Sequence, residues 1–194
     1  STPACFDHTM NVSKYQPCAL RTANLQTLSL DECAFDRLHS SIGLMTEAIE
    51  LAEAFSSGDV VNMKEEVGDM LWYIPLMCRG LKINLSDIFS SEQWETNPIV
   101  VSSPDSIIQI CGKILNAQKK AIAYENYIPT GAYIDMLRTL TRMIGSLAER
   151  YGFTLEQCAD ANIAKLRTRY PSGFSNMSAL VRNLSAERAV LNSE

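Results

Sequence analysis

Two pairs of acidic residues, Glu47-x-x-Glu50 and Glu66-x-x-Asp69, carry the clearest chemical signal in this sequence. Residues three apart on an α-helix are neighbours, about 60° apart around the axis and about 4.5 Å along it, so each pair points to one side. Two antiparallel helices bearing these pairs would aim four carboxylates at one place. Such a cluster repels itself unless a cation sits among the groups or some of them take up protons. Hard divalent ions suit a set of oxygen donors, and magnesium is the first candidate. The competing reading is that acid-rich amphipathic helices simply present a solvated face, to which Glu53, Lys64 and Glu65 could belong. Position weighs against it, because all four acids border apolar stripes that a bundle must bury, and a buried carboxylate needs a partner. A di-iron carboxylate centre would require Glu-x-x-His pairs, and the two histidines, His8 and His39, supply none.

The elements that must hold these acids follow from periodicity. Leu30, Ala34, Leu38, Ile42, Met45, Ile49 and Ala52 recur at spacings of three or four from Leu28 onward, which predicts an amphipathic helix ending near Ser56-Ser57-Gly58. Asp59 is a plausible cap for a second helix with Val67, Met70, Leu71, Ile74, Met77 and Leu81 as its apolar stripe, bent near Tyr73 by Pro75. A short helix restarts at Asn84-Leu85-Ser86, and residues 97–104 form the clearest loop. Beyond it, Ile107, Ile110, Cys111, Ile114 and Leu115 open a helix to about Tyr124. Met136, Leu140, Met143, Ile144 and Leu147 mark another, and Thr154 caps a last one over about 155–169. No segment alternates as a strand. The expected fold is all-α, an antiparallel helical bundle.

The chain also repeats itself. Gly43 to Phe55 aligns with Gly112 to Tyr124 at an offset of 69, and Ile83 to Ile88 with Phe153 to Cys158 at an offset of 70. Two divergent helical-hairpin halves follow, with Asn116 and Lys119 standing in the second where the first has Glu47 and Glu50. The expected organisation is an N-terminal arm over 1–26, with Met10 a candidate native start, and one domain over 27–194. That domain comprises a metal-binding half at 27–96 and a degenerate half at 104–191.

Composition narrows the classes. Seventeen Lys and Arg against 22 Asp and Glu give a net charge of −5, which offers no broad basic face for nucleic acid. Six scattered cysteines form no CxxC pair or metal-like group and read as reduced thiols. No apolar run approaches the roughly 20 residues of a membrane span, and the N-terminal residues lack a secretory apolar region, so a soluble cytoplasmic protein is expected, with neither membrane nor nucleic acid as partner.

With these residues in view, His39-Ser-Ser-Ile-Gly-Leu-Met-Thr-Glu-Ala-Ile-Glu-Leu51 and Val61-Asn-Met-Lys-Glu-Glu-Val-Gly-Asp-Met-Leu-Trp-Tyr73 resemble the MazG-like branch, particularly its phage forms, of the all-α nucleoside triphosphate pyrophosphohydrolases. Asn162-Ile-Ala-Lys-Leu-Arg-Thr-Arg-Tyr-Pro-Ser-Gly-Phe174 is similar to the family's closing segment, and Asn183 to Leu191 to its terminal extension. The resemblance implies that Glu47, Glu50, Glu66 and Asp69 hold magnesium, with manganese a possible substitute, and that a bound (d)NTP is cut between its α and β phosphorus atoms. A nucleoside monophosphate and pyrophosphate would be released. It also implies a homodimer and a role in nucleotide-pool control. Residues 84–149 depart from the family pattern as an apparent insertion, and the second half serves as a built-in partner that has lost its metal ligands.

Within this frame Glu47 or Glu50 takes the proton from the attacking water, and spacing does not choose between them. Lys165 and Arg169, at i and i+4 on the last helix, are the phosphate contacts, although cations there also suit a helix C-terminus. Trp72 could stack on a nucleobase or pack in the core, Asn162 could read a base edge or sugar, and His39 and Lys119 are weaker candidates. A dedicated dUTP pyrophosphatase and a noncatalytic helical interaction module are the alternatives.

Overall fold

The computed structural model describes residues 12–21, 23, 29–89, 99–175, 179–180 and 182–192. Residues 1–11, 22 and 24–26 of the expected arm, Met10 included, residues 27–28 and 90–96 of the expected first half, and loop residues 97–98 lie outside them. Within the arm, where the sequence shows no stable periodicity, Val12–Leu20 forms a helix, α1, that is exposed over residues 16–20. The body consists of α2 (Glu32–Ser57), α3 (Val60–Leu81), α4 (Asp105–Tyr124), α5 (Thr130–Arg150), α6 (Leu155–Arg169) and α7 (Leu184–Leu191). The short helix expected at residue 84 is a 3₁₀ turn, Leu85–Asp87. The described residues contain no strand, only one isolated bridge between Pro171 and Gly173. None of their helices is long and apolar enough to cross a membrane.

Helix ends follow local chemistry. Asp31 caps α2 by accepting from the Ala34 amide at 2.7 Å, which starts the helix later than the apolar periodicity suggests. Gly58 ends it in the left-handed region at φ 71°, a conformation that costs glycine little. Asp59 then accepts from the Asn62 amide at 3.0 Å to begin α3. Pro75 does not end α3, which runs on to Leu81. Thr154 and Gln157 cap α6 reciprocally.

The hairpins α2–α3 and α4–α5 pack together as a bundle, α2 against α4 and α3 against α5, while α6 lies on α3 and α7 on α6. The core stripes of α3, α4 and α5 follow the sequence pattern; that of α2 does not. Its buried face is Ser40, Ser41, Gly43, Leu44, Ala48, Leu51 and Ala54, whereas Ile42 and Ile49 are exposed. Small residues let α2 approach both neighbours closely, and the Ser40 and Ser41 hydroxyls are satisfied by the carbonyls of Asp36 and Leu38 at 2.6 and 2.9 Å. Close packing, not side-chain hydrophobicity, selects this face.

Burial also corrects the register of the repeat. At a single offset of 70, the buried residues Leu44, Ala48 and Leu51 fall on Ile114, Gln118 and Ala121, all buried. Met63, Val67, Met70, Ile74 and Met77 likewise fall on Tyr133, Leu137, Leu140, Ile144 and Leu147. The shared glycine drew the alignment of the first helices one residue away. Glu47 and Glu50 therefore correspond to Ala117 and Lys120 rather than Asn116 and Lys119, and Glu66 and Asp69 correspond to Met136 and Thr139.

Candidate active site

The short α2–α3 connection folds the two helices back on each other, and this brings Glu47 of α2 to Glu66 and Asp69 of α3. One carboxylate oxygen from each lies within 4.8 Å of the others. Glu66 is 4 % exposed, and Glu47 and Asp69 are partly covered. Glu50 is exposed and outside this triad, yet its charge still acts on Glu47 and Glu66. Burial first, then the Asp69 and Glu50 charges, pushes Glu47 up to about 7. Burial, the Asp69 charge and a hydrogen bond to Glu47 push Glu66 up to about 9. Without a cation the pair therefore keeps a proton at neutral pH.

Helix α6 supplies the polar cover. Gly68 makes this possible, since a Cβ there would meet the Cys158 carbonyl at 2.8 Å and the Asn162 Cβ at 3.0 Å. The Asn162 amide donates to Asp69. Lys165, only 1 % exposed, donates from Nζ to both Asp69 oxygens at 2.6 Å and to Glu65 Oε1 at 3.0 Å. Lys165 thus faces the carboxylates from within the fold. Arg169, one turn further on, is instead bound to Glu187 of α7 at 3.2 and 2.6 Å, with its guanidinium 5.9 Å from the Tyr170 ring centre. Lys119 is exposed on α4, and among the described residues no ion pair joins it to the acids.

Trp72 is 40 % exposed, with its ring set edge-on to His39 and Tyr73 at centroid distances of 6.3 and 5.0 Å. Beside it, a cavity of about 230 Å³ runs between Gly68, Leu71, Phe89, Asn162 and Ile163. Tyr73 lies across α2 at Gly43, where a Cβ would come within 2.2 Å of the ring. Burial raises its phenol, with the charges of Glu47, Asp69 and Glu50 adding to the effect, so the ring belongs to the acid site.

Sequence reasoning missed four participants: Gly43, Tyr73, Glu65 and Glu187. Glu65 had a usable signal, because it stands four residues before Asp69 and shares a face with it. Glu187 had none, since only the docking of α7 brings it to Arg169.

The donors are hard, all oxygen and convergent. Glu47, Glu66 and Asp69 converge, and the one lysine beside them, Lys165, is bound to Asp69 and Glu65. The residues present therefore fit a divalent ion. Residues 39–92, which span all four candidate ligands, match the MazG nucleotide pyrophosphohydrolase domain. Residues 39–92 of this all-helical chain thus form a segment similar to the MazG nucleotide pyrophosphohydrolase domain. No curated protein and no solved structure matches the chain.

Proposed function

We propose that the protein is a magnesium-dependent nucleoside triphosphate pyrophosphohydrolase that cleaves (d)NTP between the α and β phosphorus atoms, releasing (d)NMP and pyrophosphate. The observation that carries this reading is the convergence of Glu47, Glu66 and Asp69 from two helices, with the buried Lys165 and Asn162 closing the site from a third. Glu47, Glu66 and Asp69, with Glu50 at the open side, would hold the ion. A divalent cation there would neutralise phosphate oxygens and make a bound water more acidic. Glu47 or Glu50 accepts the proton of the attacking water. Lys165 turns from Asp69 toward the phosphates, Arg169 would have to leave Glu187 to engage their outer end, and Trp72 with Asn162 borders the cavity that takes the base.

The exposed apolar residues Phe35, Ile42 and Ile49 on α2 support a homodimer, which sedimentation equilibrium tests directly. Pyrophosphate release from a panel of canonical triphosphates and dUTP, with magnesium and with EDTA, tests the activity. Magnesium-dependent release that Glu66→Gln abolishes is expected. Turnover of dUTP alone would narrow the enzyme to a dUTP pyrophosphatase. Absence of release from every nucleotide would leave a noncatalytic module.

A further inference from the structure

The end of the bundle where α4 passes into α5 differs from its counterpart in a way the acid site does not explain. Two adjoining cavities of about 340 and 470 Å³ open there and share Asp31, Arg37, Gln118, Ala121 and Tyr127 in their walls. The smaller one also reaches Lys82, Thr130 and Tyr133. At the offset of 70, Thr130 and Lys82 stand where Val60 and Gly152 stand at the opposite end of the pseudo-symmetric bundle. There, Leu191 of α7 packs in beside those two residues and is 4 % exposed. The C-terminal helix thus leaves a cavity of only about 230 Å³ at one end, while at the other no described residue takes its place.

Its lining has also changed from apolar to polar. Gln118 and Tyr133, 2 % and 4 % exposed, replace Ala48 and Met63 of the first hairpin. Burying a polar pair is costly unless every group finds a partner. Gln118 Nε2 donates to the Tyr133 oxygen at 2.6 Å, which leaves the phenol proton to be donated elsewhere, and no described residue accepts it. Arg37 is fixed by one bond, Nη1 to the Gly80 carbonyl at 2.6 Å, and lies close enough for its charge to act on the Tyr133 phenol. Burial raises that phenol, and Gln118 and Arg37 work against the rise. Of the nearby acids, Asp31 is engaged in capping α2 and Glu125 is exposed on the outer cavity alone.

We propose that this groove is a second ligand site, for a small molecule that carries an oxyanion on a flat, largely apolar body. The oxyanion would accept from the Arg37 guanidinium, the Tyr133 hydroxyl, Thr130 and Lys82, and the body would lie against Tyr127. A guanidinium beside an unspent phenol proton favours a negatively charged oxygen over any cationic or neutral group.

Calorimetric titration of the full chain in EDTA, where metal cannot assist the acid site, tests this with deoxyadenosine monophosphate and inorganic phosphate as probes. Saturable binding of the monophosphate at one site per chain, tighter than that of phosphate, is expected. Tyr133→Phe and Arg37→Gln should each weaken it by about ten-fold, the loss of one bond to a charged group. Lys165→Met should leave it unchanged. Thr130→Ala, on the rim, provides a third variant should Tyr133→Phe not fold. Absence of saturable binding of either probe would overturn the proposal. So would binding that follows Lys165→Met instead of Arg37→Gln. Equal affinity for phosphate and the monophosphate would remove the apolar body from it. Because no turnover is read, this outcome is separable from that of the hydrolase assay.

Discussion

The hairpins α2–α3 and α4–α5 bury the same positions and carry different chemistry beside them. Where the first places Glu47, Glu66 and Asp69, the second has Ala117, Met136 and Thr139. The apolar registers coincide along both second helices, with acids beside one and none at the matching positions of the other. Core positions set the bundle, and the positions next to them are free to be catalytic or inert. Helix α6 reinforces the asymmetry, since it lies chiefly on α3 and brings Lys165 and Asn162 to one set of acids only.

Removing the acids should separate the two hairpins most. Glu66→Ala or Asp69→Ala should lower turnover by at least about a thousand-fold, the scale of several kcal/mol of lost charge stabilisation. Met136→Ala and Thr139→Ala in the other hairpin should leave turnover within about two-fold once folding is matched by circular dichroism. In the same comparison, calorimetric titration of the wild type with magnesium should give one class of site per chain. Two equivalent sites would end the asymmetry.

Next in size is the cation that offsets the cluster. Lys165→Met should destabilise the metal-free protein by about 2 kcal/mol in chemical denaturation. This is below the about 3–5 kcal/mol of a fully buried pair, because the Asp69 side chain stays a quarter exposed. Magnesium should restore part of it. Lys120→Met, at the exposed equivalent of Glu50, should change stability by no more than about 0.5 kcal/mol.

The two glycines that the sequence pairs should respond with opposite signs. Gly43→Ala drives a methyl into the Tyr73 ring and should cost about 1–3 kcal/mol, with a loss of turnover as the ring shifts. A Cβ on Gly112 meets nothing within 4 Å, so Gly112→Ala should stabilise by about 0.5–1 kcal/mol through helix propensity. Thermal melts of the two variants measure both.

The acid cluster also makes the protein respond to pH. Glu47 and Glu66 sit above their ordinary value of 4.5 in the folded metal-free protein, which therefore holds more protons than the unfolded chain. Their contribution to stability is complete below about 4.5 and is lost as pH rises through about 7 and about 9. Magnesium must displace the shared proton, so between about 7 and about 9 its affinity should rise by up to about ten-fold per pH unit. Titrations in buffers of different ionisation enthalpy should register the released proton. A pH-independent affinity would mean that the acids are already ionised.

Much of this was legible in the residues themselves. Helix spacing, the Asp59 and Thr154 caps and the Gly58 stop are local properties, and with the two acid pairs they determine an all-α chain with a cation-seeking stripe. The resemblance to the MazG-like family rests on the same local strings. What lay beyond the sequence depends on contacts between distant residues. The buried face of α2 was decided by how closely its small residues let α3 and α4 approach, against the pull of Ile42 and Ile49. The register of the duplication was decided by shared burial rather than by a shared glycine. Only folding could bring Lys165 to Asp69, Tyr73 to Gly43, Glu187 to Arg169 and Arg37 to Tyr133, because charge and shape complementarity across the chain act at distances that spacing along one helix does not encode.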